Sequence, residues 1–136
     1  MLVFDTSFII DLSNSDRGAL KLADSVDQDG SIAAISVISV HEYILGVHLR
    51  YFRDKDLLAT NLQAAEKLLS AFLILPVTVE IAMQSAKIQS TLMKNGKIIG
   101  INDIYIAATA IVSKSTVVTR NVSEFEKVDG ITVQKY

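Results

Sequence analysis

Four polar residues stand where an apolar run ends or an amphipathic stretch begins: Asp5, Glu42, Asp103 and Asn121. Asp5 follows residues 2–4 (LVF), Glu42 comes shortly after residues 32–36 (IAAIS), Asp103 opens an alanine-rich stretch, and Asn121 follows residues 116–119 (TVVT). Three carboxylates and an amide make a poor cluster by themselves. Two like charges about 4 Å apart repel by roughly 1 kcal/mol in water and about 4 kcal/mol near a protein surface. A hard divalent cation relieves that repulsion, and Mg²⁺ accepts oxygen ligands while keeping several of its waters. Mn²⁺ is the alternative ion. Asp5 and Asp103 are the expected ligands. An ion held this way polarises a phosphate oxygen and activates a water, so the chemistry expected is hydrolysis of a phosphodiester. Thr6, Ser7 and Thr119 are placed to orient water or phosphate, and Arg120 to contact a phosphate or lie on the surface.

Each of these residues also has an ordinary structural role. Asp5 is suited to cap a helix beginning near Ser7. Ser39-Val40-His41-Glu42 fits a capping box with Glu42 at the third helical position. Asp103 is a plausible N-cap for a helix from Ile104, and Asn121-x-x-Glu124 looks like another helix start. Thr6, Ser7 and Thr119 fit capping and turn chemistry equally well. His41 and His48 are seven apart without the spacing or glutamate of a zinc helix, and read as packing or surface residues. What singles out the four is position, because all fall on one edge of the expected fold.

That fold follows from alternating periods. Residues 2–4, 32–36, 73–75, 116–119 and 131–134 are short apolar runs, and amphipathic stretches of helical spacing lie between them. Phe8, Ile9 and Leu12 form one stripe, and Tyr43, Val47 and Tyr51 another. Leu58, Leu62, Ala65 and Leu69 follow the same spacing, as do Ile81, Ser85, Ile88 and Leu92, with Asn95-Gly96 closing that helix. Residues 52–60 read as an exposed junction between two helices. A further helix runs from Ile104 to about Ser113. The pattern predicts one α/β domain over residues 1–136, three layers deep (α/β/α), with a central parallel sheet. In such sheets ligands sit beyond the carboxyl ends of the strands.

Composition narrows the classes. The chain has 136 residues, is 50% hydrophobic and 21% charged, and has one proline, which excludes a disordered chain. With no cysteine it has no disulfide, thiolate metal site or cysteine nucleophile. No apolar run reaches membrane-spanning length, and Asp5 interrupts any signal-peptide core, so a cytoplasmic protein is expected. Net charge is −2, unevenly spread. Residues 1–86 carry 6 Lys and Arg against 11 Asp and Glu, and residues 87–136 carry 7 against 4. The mean hydropathy of +0.37 suggests apolar surface covered by another chain.

Four segments together resemble a known family. They are LVFDTSFIIDL with Asp5, ISVISVHEYILG with Glu42, GINDIYIAATA with Asp103, and VVTRNVSEFEKVDGI with Asn121. In this order and spacing the chain resembles the PIN-domain ribonucleases, specifically the VapC-type toxins of toxin–antitoxin pairs. The resemblance implies a PIN-like fold, a Mg²⁺- or Mn²⁺-dependent endoribonuclease, and an active site of Asp5, Glu42, Asp103 and Asn121. Many members carry Asp where Asn121 stands, and a further acid where Ile101 stands. Both departures count against a second tightly bound ion. The resemblance also implies RNA as substrate and a small cognate antitoxin as partner. An antitoxin arginine could occupy the acidic cleft, its segment docked in a groove around Phe8 to Leu12 and Tyr43 to Tyr51. A homodimer through helices around residues 62–93 is expected.

Other enzyme classes fit less well. An aspartyl-phosphate phosphatase wants a second Asp where Ser7 stands, and a receiver domain wants adjacent acids where Asp5-Thr6 stands. No glycine-rich phosphate loop is present. The remaining alternative is a non-catalytic PIN-like module that binds nucleic acid or protein.

Overall fold

The apolar runs become strands. In the computed structural model, which describes residues 1–136, they are β1 (Leu2–Phe4), β2 (Ala33–Ser36), β3 (Leu73–Leu75), β4 (Thr116–Thr119) and β5 (Thr132–Lys135). They pair in the order β3-β2-β1-β4-β5, and every pair is parallel. Seven helices connect them: α1 (Thr6–Ser13), α2 (Arg17–Asp29), α3 (Val37–Tyr51), α4 (Lys55–Leu69), α5 (Val79–Lys94), α6 (Ile101–Val112) and α7 (Val122–Phe125). The expected α/β/α architecture is present.

The central strands β2, β1 and β4 carry no charged residue because both their faces are covered, whereas the edge strands β3 and β5 are largely exposed. Side chains alternate across a strand, and the register aligns those of one face. Val3 pairs with Ala34 and Val117, while Phe4 pairs with Ile35 and Val118. The first set joins Ile81, Ile88, Leu92, Ile104 and Ala108 in a core under α5 and α6. The second joins Phe8, Ile9, Ala19, Val26 and Leu69 under α1, α2 and α4. Phe4 and Phe8 stack with centroids 4.2 Å apart. Each such aromatic contributes about 1.5–3 kcal/mol by leaving water, which is what anchors α1 directly beyond β1.

Helix starts differ from expectation at two informative places. α3 begins at Val37, capped by Ser36, whose hydroxyl accepts the Ile38 N–H at 3.2 Å. Ser39 is therefore inside the helix, its hydroxyl buried without a hydrogen bond, and the capping box does not form. Glu42 lies one turn further on. α6 begins at Ile101, three residues early, with Gly100 as N-cap. Ile99 before the cap and Ile104 after it are buried in one cluster, the staple pattern that fixes chain entry. Asp103 is thereby not a cap but a first-turn residue. The end of α5 matches expectation. Gly96, at φ 65°, lets its N–H reach Met93 O at 3.2 Å and that of Lys97 reach Leu92 O at 2.9 Å, a Schellman closure.

Candidate active site

The strand order reverses between β1 and β4, and polar residues collect beyond their carboxyl ends, as expected for an open parallel sheet. Asp5 leaves β1 and caps α1, its Oδ1 accepting the Phe8 N–H at 3.1 Å and the Ser7 hydroxyl at 2.7 Å. Thr119, the last residue of β4, donates its hydroxyl to Asp5 Oδ2 at 2.6 Å. The capping role of Asp5 is thus real, yet it occupies only one of the two oxygens. Thr119 Oγ1 also accepts the Asn121 N–H at 2.9 Å, which ties the turn after β4 to the same carboxylate. On α3, Glu42 accepts the Thr6 hydroxyl at 2.6 Å. Thr6, Ser7 and Thr119 therefore orient the acids.

Asp103 differs from Asp5 and Glu42 in having no hydrogen-bond donor. Its carboxyl is raised to about 6, first by burial, then by Glu42, Asp5 and Glu124. Asp5 is also raised by burial, against the hydrogen bonds of Thr119, Ser7 and Phe8 and the charge of Arg120. Asp103 thus lies within reach of the charges of Glu42, Asp5 and Glu124. Glu124 is the acid that sequence reasoning missed. Its signal was visible as Asn121-x-x-Glu124, but that spacing looked like a helix start. A helix does start there, α7 with Asn121 at its N-cap position, but Asn121 makes no side-chain cap bond, and Glu124 pairs with Lys127 at 2.9 Å. Asn121 is exposed, its side chain without a hydrogen bond.

No three of these acids converge closely enough to ligate one ion directly. The donor set nonetheless fits a hard cation. All the donors are oxygens, Asp103 is uncompensated, and Mg²⁺ ordinarily takes one or two carboxylates and completes its shell with water.

Arg120 sits at the rim. Its Nη1 lies 2.8 Å from both oxygens of Asp11, and Asp11 Oδ2 also accepts the Tyr136 hydroxyl at 2.8 Å. A groove of about 560 Å³ lies between α1, α3 and α4. It is lined by Ile10, Tyr43, Val47, Tyr51 and Leu68, and shares only Glu42 with the acids. Phe8 was expected there and is instead buried, because the stripe of Phe8, Ile9 and Leu12 faces the core and turns Ile10 outward. His41 and His48 are exposed.

Comparison with known proteins gives the family. The PIN domain profile matches residues 2–131. The chain belongs to the PIN domain family. This PIN domain is 33% identical over 134 residues to "Ribonuclease VapC" of Rickettsia bellii (strain RML369-C), covering 97% of this chain and 93% of that one. It superposes on VapBC-1 from nontypeable Haemophilus influenzae with a TM-score of 0.83 and 26% identity, covering 98% and 96% of the two chains. It superposes on a toxin–antitoxin complex from Klebsiella pneumoniae with a TM-score of 0.71 and 25% identity, covering 97% and 96%. No helix of this PIN domain is long and apolar enough to cross a membrane.

Proposed function

We propose that this PIN domain is a Mg²⁺- or Mn²⁺-dependent endoribonuclease that hydrolyses RNA phosphodiester bonds, and the toxin of a toxin–antitoxin pair. The observation that carries the reading is Asp103, a carboxylate without a donor, set against Asp5, Glu42 and Glu124. A cluster so arranged costs stability and is explained by a ligand of opposite charge. Its relative named as a ribonuclease supports the reaction class.

Asp5 and Asp103 would hold the ion, with Glu42 and Glu124 beside them. When bound there, the cation supplies charge to the phosphate and makes a water more acidic. The rest falls to the chain itself. Thr119, Ser7 and the Phe8 N–H hold the Asp5 carboxylate by both oxygens, so it cannot rotate away. Thr6 holds one oxygen of Glu42 and leaves the other free to take a proton from an attacking water. Asn121 stands at the rim, where its amide can contact the incoming strand. Burial of Asp5 and the sheet edge beneath it limit water on the floor of the site.

The test is cleavage of single-stranded RNA with Mg²⁺ or Mn²⁺, against the same reaction in EDTA. Equal cleavage in both would remove the metal from the mechanism. RNA binding with no cleavage in any divalent ion would leave the non-catalytic module as the reading.

The partner reading rests on the groove between α1, α3 and α4, which opens beside Glu42. An apolar antitoxin segment fits it, and an arginine from that segment can pair bidentately with the acids. Substituting that arginine in a copurified complex should restore cleavage without releasing the partner. A homodimer would cover Val79, Met83, Met93 and Ile98, which are 70–85% exposed on and after α5. Sedimentation as a monomer would overturn the dimer alone. The cytoplasm, where RNA is available, is the proposed site of action.

A further inference from the structure

Two hydroxyls lie between the acid cluster and its rim: Ser7 donates to Asp5, and Tyr136, whose hydroxyl oxygen is 3.4 Å from that of Ser7, donates to Asp11, which also accepts from Arg120. We propose that Arg120 grips the RNA phosphate beside the acids, and that Asp11 and Tyr136 are positioning residues that aim it. The inference rests on the ribonuclease reading and names residues through which that site selects its substrate.

Three observations converge. First, Arg120 is locked in place at its backbone, because Thr119 Oγ1 binds Asp5 on one side and the Asn121 N–H on the other. Second, Asp11 holds one end of the guanidinium only. Nη1 is spent on Asp11, while Nε and Nη2 make no hydrogen bond within the protein. Those two nitrogens form the side-on fork that matches two phosphate oxygens. Third, exposure is lopsided: the Arg120 side chain is 55% exposed and that of Asp11 only 11%. An ordinary surface pair contributes little, and burying a carboxylate to hold a half-exposed arginine is not what stability alone would select. Tyr136 completes the mount. Its ring stands edge-on to Phe8 at 5.0 Å, so its hydroxyl reaches Asp11 from a fixed point on the core.

The arginine also answers an electrostatic need. Phosphate approaching four carboxylates is repelled, and two cations border them. Lys127 is committed to Glu124 and to the Ile98 carbonyl at 3.3 Å. Arg120, whose charge reaches Asp5, has donors to spare.

Binding of a short fluorescent single-stranded RNA of mixed sequence, measured by anisotropy in the Asp103→Asn background, tests this. Arg120→Ala should weaken binding about tenfold, the scale of one charge-assisted contact. It should also flatten the salt dependence by about 0.7, one phosphate on a single strand. Arg120→Lys should keep the salt slope but recover only part of the affinity, since its ammonium retains the charge and lacks the planar fork that holds Asp11 and phosphate together. Asp11→Asn should weaken binding about threefold by freeing the side chain, and should have no further effect once Arg120 is Ala. If Asp11→Asn does not fold, Tyr136→Phe takes its place in that cycle. Unchanged affinity and salt slope in Arg120→Ala would overturn the inference while leaving the ribonuclease reading intact. So would an Asp11→Asn effect that persists without Arg120, since that would mark a merely structural pair. Absence of RNA binding even with Arg120 intact would overturn both.

Discussion

Asp103→Asn should make the protein more stable while silencing it. The carboxyl of Asp103 is moved from 3.8 to about 6, which disfavours its charged form in the native state by at most about 3 kcal/mol. The residue is half-buried, so solvent screening reduces this to about 1–1.5 kcal/mol. The amino end of α6 favours a carboxylate by about 0.3–1 kcal/mol, but the raised value shows that burial and the neighbouring acids outweigh it. Asparagine keeps the volume and removes the charge. Urea or thermal unfolding in EDTA at pH 7 should therefore show a gain of about 1 kcal/mol, near 4 °C in Tm for a chain of this size. The sign reverses the usual carboxylate case. Below pH 3.8 the group is protonated in both states and costs nothing. Between pH 3.8 and about 6 the unfolded state ionises it while the native state keeps its proton, so stability falls across that window and levels off above it. The gap between variant and wild type should open between about pH 4 and 6 and stay constant above. Added Mg²⁺ should stabilise the wild type by linkage and close the gap. A variant equal to or weaker than wild type at pH 7 in EDTA, or a gap that ignores pH, would refute the argument.

Glu124→Gln should lower the carboxyl of Asp103 and shift the acidic limb of the pH–rate profile to lower pH, with reduced cleavage; an unmoved limb would place Glu124 outside the site. Thr119→Val removes a 2.6 Å bond to the buried Asp5 and should cost about 1.5–3 kcal/mol in denaturant unfolding, with weaker metal binding by calorimetry. Glu42→Gln should abolish cleavage yet leave Tm within a degree or two, because Gln retains an acceptor for Thr6; full activity would show that Glu42 is only structural. Asn121→Asp adds a charge at the rim and should tighten Mg²⁺ binding in calorimetry, and weaker binding would place residue 121 outside the metal's reach.

Local pattern alone carried the elements. Runs such as LVF and TVVT are too apolar to lie on a surface and too short for helices, so their period identifies buried strands before any contact is known. Gly96 likewise marks the end of α5 wherever that helix packs, because its positive φ is a local requirement. Asp5 at the end of β1 was legible for the same reason, since a strand's last residue in a parallel sheet faces the ligand edge whatever surrounds it. The capping readings of Glu42 and Asp103 could not be decided that way. Whether a helix starts at Val37 or Val40, or at Ile101 or Ile104, depends on which apolar residue is drawn into the core, and Ile99 and Ile104 settle it only by packing together. Glu124, Asp11 and Tyr136 were out of reach for a related reason. Glu124 acts on Asp103 from 21 residues away, and Asp11 meets Arg120 and Tyr136 across 109 and 125. No periodicity within one element records such meetings. Only the parallel order that sets β4 beside β1, and β5 beside β4, brings those charges together.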